Sequence, residues 1–167
     1  FFHGISYAID WILVDYTKNV PANATIAQED ALGARPYWVR VPAQNVLAAY
    51  SEMIGGVETF VHVRIKEDAT VREGYGEKTV ERVRVLNREL ERNEQGDVTR
   101  AADATWEVLE KQKDTTGKDV WVSVGSGPIT IKVIPLVPFL TGRRLGHSWQ
   151  VVPPLQDAAD LQIEHYQ

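Results

Sequence analysis

Alternation of apolar and polar residues with a period of two is the feature that most constrains how this chain can fold. The clearest case is residues 57–67, VETFVHVRIKE. Successive side chains of a strand point to opposite faces of its sheet, so this pattern predicts a half-buried antiparallel strand. Other runs of the same kind recur between turn residues, and they predict further strands. These are residues 5–16, 37–41, 46–50, 80–90, 105–111, 120–124 and 129–134.

Glycine, proline and polar residues predict where the chain reverses between these strands. Gly55 and Gly56 are typical of a tight hairpin turn. The Gly-Ser-Gly-Pro sequence at residues 125–128 predicts another tight turn, whereas the polar residues 68–78 predict a loop. In the first strand, Asp10 is expected to face solvent.

Two segments are predicted to be helical. Thr25 and Gln28 have the spacing of a capping box, and Gly33 stands where a C-terminal cap belongs. A Pro-Pro pair at residues 153–154 is suited to the first turn of a last helix, residues 155–167. The sequence therefore predicts an α+β fold, mainly antiparallel β-sheet with a short helix in the N-terminal half and a C-terminal helix. We expect one layer of sheet packed on helices.

The bulk composition limits the classes of function. The chain has 167 residues, 44% of them hydrophobic, which predicts a single domain over residues 1–167 with a real core. Its formal charge of −5 argues against a dedicated nucleic-acid-binding protein. Because the chain has no cysteine, disulfides, thiolate catalysis and cysteine-based metal sites are excluded. No apolar run reaches the ~18 to 20 residues of a transmembrane helix.

The last predicted helix offers the most tempting chemical site. Asp157, Asp160 and Glu164 fall on one side of it, with His165 nearby, and such carboxylates could bind a metal ion. An amphipathic helix with its acidic side in water explains the same pattern. This second interpretation is favoured, because His165 lies ~100° around the helix axis from Glu164 and cannot share an ion with the acidic stripe.

Catalytic motifs are missing elsewhere in the sequence. The glycines of residues 125–128 lack the Lys-Ser/Thr pair of a phosphate-binding loop, and Ser126 lacks the flanking pattern of a nucleophile elbow. The sequence therefore predicts no catalytic residue, no metal and no cofactor. We expect a protein that is not an enzyme.

Basic and aromatic residues interleave at one place, a predicted loop that contains Arg143, Arg144, His147 and Trp149. A contact with nucleic acid or phosphate is one interpretation of this composition. A solvated loop, or a contact between subunits of an oligomer, is the favoured one.

Three segments, taken in order, resemble a family of tailed-bacteriophage portal-like proteins. Residues 13–16, LVDY, are similar to an early strand-end motif of the family. Residues 35–37, RPY, followed by Asn45-Val46, resemble its RPY…N-I segment. The longest segment, residues 134–167, combines an IP-x-VPF strand, a T-G-R loop, P-P-L, an acidic helix start and a terminal H-Y-Q.

The resemblance implies a fragment from the β-rich wing region of a phage portal protein, a non-enzymatic ring subunit. Intact portals of the family form a dodecameric ring at one capsid vertex. They bind other portal subunits, terminase, capsid and connector proteins, and DNA passes through without sequence-specific binding. The implied location is the virion, and the bacterial cytoplasm before assembly, with no membrane partner. A first residue that is not Met, and a last helix without a C-cap signal, also lead us to expect a fragment.

Two other classes of function stay open. A β-rich binding module would recognise a peptide or small ligand in a pocket lined by Trp residues, and a deep apolar cavity with converging polar groups would favour it. A hydrolase would require Asp157, Asp160 and Glu164 to converge on a metal ion. For the portal interpretation, we expect the isolated chain to be monomeric or weakly associated.

Overall fold

The computed structural model of this chain describes residues 2–16, 20 and 24–166, without the side chains of Phe2 and His3. In these residues the strands are antiparallel and predominate over three short helices, which confirms the predicted α+β class. In chain order the elements are α1 (Phe2–Tyr7), β1 (Ile9–Tyr16), α2 (Ile26–Ala31), β2 (Pro36–Val41), β3 (Val46–Ile54), β4 (Val57–Glu73), β5 (Gly76–Asn87), β6 (Leu90–Arg92), β7 (Val98–Ala101), β8 (Thr105–Lys113), β9 (Asp119–Pro128), β10 (Leu136–Leu140), β11 (Arg143–Arg144), β12 (Val151–Val152) and α3 (Gln156–His165).

The chain divides into two compact units. The first unit comprises Phe1–Ala43 and Pro135–Gln167, and the second comprises Gln44–Ile134. That residues 1–167 form a single domain stays a prediction.

A three-stranded antiparallel sheet of order β10-β1-β2 organises the first unit. Leu13 of the central strand pairs with Leu136 on one side and with Val39 on the other. The side chains that share the face of Leu13 form the core of this unit, because alternate residues of each strand point the same way. The buried ones are Ile9, Trp11, Leu13, Val41 and Leu136.

The prediction that residues 5–16 form one strand is wrong at its start. Helix α1 ends at Tyr7, and the buried Ala8 has a φ of 63°, which reverses the chain before β1 begins. The backbone N–H groups of Thr141 and Gly142 both donate to the carbonyl oxygen of Ala8, at 2.9 and 3.1 Å. These long-range hydrogen bonds stabilise a left-handed conformation that residues other than glycine rarely adopt.

The expectation that Asp10 faces solvent is also wrong. Its residue surface is 8% exposed, and its Oδ2 accepts a hydrogen bond of 2.6 Å from Nε of Arg40. Arg40 pairs across the sheet with Ile12, which lies on the same face as Asp10. A carboxylate can be buried when it has such a charged partner, and the alternation of β1 alone gave no sign of it.

Helix α2 follows the prediction made from its capping residues. Oγ1 of Thr25 accepts from the backbone N–H of Gln28 at 3.4 Å, while the backbone N–H of Thr25 donates to Oε1 of Gln28 at 2.9 Å. At the other end Gly33 has a φ of 63°, and its N–H donates to the carbonyl of Asp30 at 3.0 Å. None of the helix residues is buried, so these caps are a main source of its stability.

The second unit contains a five-stranded antiparallel sheet of order β3-β4-β5-β8-β9, together with the small β6-β7 hairpin. Val63, Ile65 and Leu86 lie on its buried face. Residues 57–67 are strand, as predicted, and the turn at Gly55 and Gly56 has the two positive φ angles, 59° and 82°, that a two-residue hairpin of this type requires.

The predicted loop at residues 68–78 is wrong. Strand β4 continues to Glu73 and β5 begins at Gly76, so the two strands form one long hairpin. The pairing runs without interruption from His62 opposite Asn87 to Glu73 opposite Gly76. Polar residues form a strand here because both faces of this part of the hairpin are open to water.

The predicted turn at residues 125–128 is wrong as well, and residues 129–134 are not a strand. Strand β9 runs through these glycines to Pro128. A Cβ atom at Gly125 or Gly127 would lie 3.5 or 3.2 Å from the ring of Trp106, so the glycines leave room for that indole. Their role is close packing across the strand pair.

The expected single layer of sheet on helices is not the observed architecture. The described strands belong to four sheets. Helices α2 and α3 have no buried residue, so neither covers a sheet as a packed layer.

Candidate functional site

A small hairpin, β11 and β12, carries the four residues that the sequence singled out. Arg143 pairs with Val152 and Arg144 with Val151. The hairpin closes where the N–H of Leu145 donates to the carbonyl of Gln150 at 2.9 Å. We call residues 143–152 the Arg–Trp hairpin.

The guanidinium of Arg144 is bound inside this hairpin. Its Nε donates to the carbonyl of Ser148 and its Nη2 to the carbonyl of His147, each at 2.7 Å. The same group lies over the ring of Trp149, with 3.8 Å from Cζ to the ring centroid. Charged hydrogen bonds and a cation–π contact make Arg144 a residue that shapes the loop.

Trp149 joins the hairpin to the core of the first unit. Its ring centroid lies 5.5 Å from that of Trp11, with the planes inclined by 58°. Trp11 is only 3% exposed. The sequence alone does not indicate this contact, since the two positions are far apart in the chain.

Ser148 also belongs to the hairpin and was missed at the sequence level. Its Oγ donates to the carbonyl of Leu145 at 2.8 Å and accepts from the N–H of Gln150 at 3.3 Å. Serine is common in turns because its hydroxyl forms such local bonds, and this was the available signal.

The structure thus divides the four predicted residues into two pairs. Arg144 and Trp149 are half-buried and stabilise the loop, whereas Arg143 and His147 are exposed. The arrangement presents one cation and one imidazole on an ordered loop. It is suited to contact with another surface.

The sequence offered two other places for chemistry, the acidic residues of α3 and Ser126. The acidic residues of α3 are exposed, as is every residue of that helix. Among the residues that the structure describes, no group of three or more His, Cys, Asp or Glu is placed to hold a metal ion. Ser126 lies within β9, paired with Glu107 across the strands.

Shifted pKa values occur on the β8–β9 hairpin of the second unit. A hydrogen bond from Arg82 is the main reason that the pKa of Glu110 is lowered, with a second from Gln112. Hydrogen bonds with Asp119 and Glu81 raise the pKa of Lys111. The side chain of Thr116 and the backbone of Lys118 lower the pKa of Asp114. Ion pairs and turn hydrogen bonds cause these shifts, and such pairs are found in structural networks as well as in active sites.

No protein-family model matches this chain. None of the curated proteins matches it either. Among the described residues, no helix is long and apolar enough to cross a membrane.

Proposed function

We propose that this chain is a structural part of a tailed-bacteriophage portal ring, from the β-rich wing of the subunit. In that role it forms part of the wall and outer rim of the conduit through which DNA enters and leaves the capsid. It acts through its surfaces and not through catalysis.

One observation carries this proposal. The three segments that resemble the portal family are separated in the sequence, yet part of each contributes to the sheet β10-β1-β2, while Val46 of the second segment begins β3 in the other unit. Residues 13–16 end β1, residues 35–37 lead into β2, and residues 134–140 lead into and form β10. Leu13 pairs with both neighbours, and Tyr16 lies opposite Pro36. Segments that share one resemblance and one sheet are what a common fold would require.

Exposed apolar side chains support a role in assembly. Leu161 and Ile163 of α3, and the residues Leu155 and Tyr166 that flank it, are all more than half exposed. Leu155, Ile163 and Tyr166 lie on one side of the helix, away from the acidic residues, whereas Leu161 does not. Exposed apolar side chains grouped on one side of a helix are suited to contact with another protein.

The proposed partners follow from the family resemblance. They are further portal subunits, the terminase, and capsid and connector proteins. The formal charge of −5 suits a conduit wall, because a strongly basic surface would bind the DNA that has to slide past it.

The test is the oligomeric state of the product of the complete reading frame that contains this chain. Purified product is examined by mass photometry and negative-stain electron microscopy. We expect closed rings with a central channel. A product that stays monomeric at micromolar concentration, or that binds a small ligand in a closed pocket of this region, contradicts the proposal.

A further inference from the structure

In the described residues, the larger sheet of each unit has one edge strand that is obstructed and one that is not. In the first unit, the edge strand β10 contains Pro138, which has no N–H to offer a further strand. In the second unit, the edge strand β3 is distorted by two register shifts. Proline and bulges are the devices by which proteins prevent edge-to-edge pairing.

The opposite edges, β2 and β9, lack these obstructions over most of their length. In the part of the chain that the structure describes, β2 pairs only with β1 and β9 pairs only with β8. The pairing of β9 with β8 is regular from Asp119 to Ser123, and its single register shift comes after that stretch. Pro36 stands at the first position of β2, where it does not interrupt the strand.

The charges of these two strands are also unusual for edges. Exposed edge strands normally carry charged residues, above all lysine, which keep other strands away. Here the interior strands β4, β5 and β8 are rich in charge. Arg40 is the one charged residue in the sequence of β2, and Asp119 is the one charged residue in the sequence of β9.

Both edges expose a tryptophan beside their single charge. Trp38 is 79% exposed and lies two positions before Arg40. Trp121 is 49% exposed and lies two positions after Asp119. In an antiparallel pair the two strands run in opposite directions, so these two patterns are complementary.

We propose that β2 of one copy of this chain pairs antiparallel with β9 of a second copy, with Arg40 opposite Asp119 and Trp38 opposite Trp121. The binding partner of each edge strand is another extended strand, because such a strand can form hydrogen bonds with the row of backbone N–H and C=O groups at the edge. Opposite charge and facing aromatics set the register. The pairing ends before the register shift in β9, so the length of β2 fits the regular stretch.

The two charges are already positioned by their own units. Arg40 is held by Asp10 through Nε at 2.6 Å, and its side chain is 49% exposed. Asp119 lies 3.1 Å from Nζ of Lys111, with its side chain 53% exposed. Both side chains therefore remain accessible to a partner on the open side.

This inference rests on the proposed function and names the contact between neighbouring copies. The two edges differ, so the contact is head-to-tail and can be repeated from copy to copy. Such a contact closes into a ring when the rotation between copies allows it. An isologous contact of β9 with β9 would end at a dimer.

Disulfide cross-linking tests the register directly, because the chain has no cysteine of its own. Trp38→Cys and Trp121→Cys are made in separate chains, mixed and oxidised. Val39→Cys and Val120→Cys form a second pair on the adjacent rung. Adjacent rungs of an antiparallel ladder alternate between Cα separations of about 5.5 and 4.5 Å, so at least one pair lies within the range of a disulfide.

We expect a covalent dimer only when the two members of a pair are mixed. A chain carrying both Val39→Cys and Val120→Cys should give a ladder of dimer, trimer and higher species. Cross-linking of Val120→Cys with itself would show that β9 pairs with β9 and would overturn the proposal. So would the absence of cross-links from both mixed pairs.

An added charge on the edge gives a second test. In the Val39→Cys and Val120→Cys mixture, Trp121→Lys on the second chain should slow cross-linking by roughly tenfold, through loss of the aromatic pair and a buried charge. Tyr75→Lys, at the fully exposed tip of the β4–β5 hairpin, is the matched control and should leave the rate unchanged. Equal rates for Trp121→Lys and the control overturn the proposed contact.

The two proposals fail separately. If the complete product forms rings but neither cysteine pair reacts in them, the ring stands and this contact is wrong. If the cysteines form the ladder but the complete product is not a ring, the contact stands and the portal function is wrong.

Discussion

The two units of this protein reach their structure by different means. In the second unit, strands that follow one another along the chain also pair with one another, as β3 with β4 and β4 with β5. In the first unit, β1 pairs with β10, and Trp11 packs against Trp149. The second unit therefore depends mainly on alternation and turns, and the first on contacts between distant residues. Substitutions should have their largest effects where the distant contacts are tightest.

Gly142→Ala is expected to have the largest effect. A Cβ atom at this position would overlap the carbonyl oxygen of Val152 and lie 2.7 Å from Cβ of Ala8. The backbone has to shift, and the hydrogen bonds that hold Ala8 are lost with it. We expect a loss of about 3 kcal/mol in the free energy of unfolding, measured by urea denaturation.

Gly146→Ala is the matched control in the same hairpin. Gly146 has a φ of 58°, yet a Cβ there would meet no atom within 4 Å. Only the strain of the left-handed conformation applies, and it costs about 1 kcal/mol. Equal losses for the two variants would contradict the close packing of Gly142.

Arg144→Ala should have the next largest effect. Arg144 binds two carbonyls of its own loop and lies over Trp149. Its removal leaves those carbonyls to water and loosens the packing on Trp11, so we expect a loss of about 2 kcal/mol in the free energy of unfolding.

Arg143→Ala is the control for this prediction, since the neighbouring arginine is exposed. We expect a change within about 0.5 kcal/mol for it. If Arg143→Ala proved as costly as Arg144→Ala in the same denaturation series, the division of the four residues into two supporting and two presented side chains would be wrong.

The difference between local patterns and contacts of distant residues, which occurs in both units, explains what the sequence could predict. The alternation of residues 57–67, the turn at Gly55-Gly56 and the capping box of Thr25 with Gln28 are local patterns, and the structure confirms each of them. The reversal at Ala8 and the burial of Asp10 depend on Gly142 and Arg40, which no local pattern links to them.

The sequence predicted which residues of the Arg–Trp hairpin could form a contact site, but not how these residues contact one another. Interleaved basic and aromatic residues indicated the place, and Arg144 and Trp149 are indeed in contact. The sequence could not show that the guanidinium of Arg144 is bound within its own loop. The groups that accept its hydrogen bonds are backbone carbonyls, which every residue has. Within the second unit, the glycines of residues 125–128 misled for a related reason, since they accommodate Trp106 of the neighbouring strand.

Gly56→Ala tests the local logic of the second unit and should cost less. Gly56 has a φ of 82° in the turn between β3 and β4. Alanine there adds strain of about 1 kcal/mol and no collision, because no atom lies within 4 Å of the added Cβ. Gly55→Asn introduces a residue that also tolerates positive φ, so it should change the free energy of unfolding by much less than about 1 kcal/mol. If Gly55→Asn lowered the free energy of unfolding more than Gly56→Ala does, backbone conformation would not be what governs this turn.

The smallest expected effect is a pH dependence from the charged pairs of the second unit. Arg82 donates to Glu110 at 2.8 Å and lowers its pKa below the ordinary value of 4.5. A carboxyl whose pKa is lower in the folded state stabilises the fold above its unfolded pKa. That contribution is lost as the pH falls through the folded pKa. Thermal unfolding should therefore show the native chain losing stability more steeply below pH 4.5 than Glu110→Gln.

Salt separates this electrostatic effect from packing. The Arg82–Glu110 pair is partly open to water, so added salt should reduce the difference between the native chain and Glu110→Gln. Arg82→Met removes the partner that lowers the pKa and should show the same shallow pH profile as Glu110→Gln. The effect of Gly142→Ala, which arises from collision, should persist in high salt. If added salt reduced the effects of Gly142→Ala and Glu110→Gln equally, the distinction between packing in the first unit and ion pairs between strands in the second would be wrong.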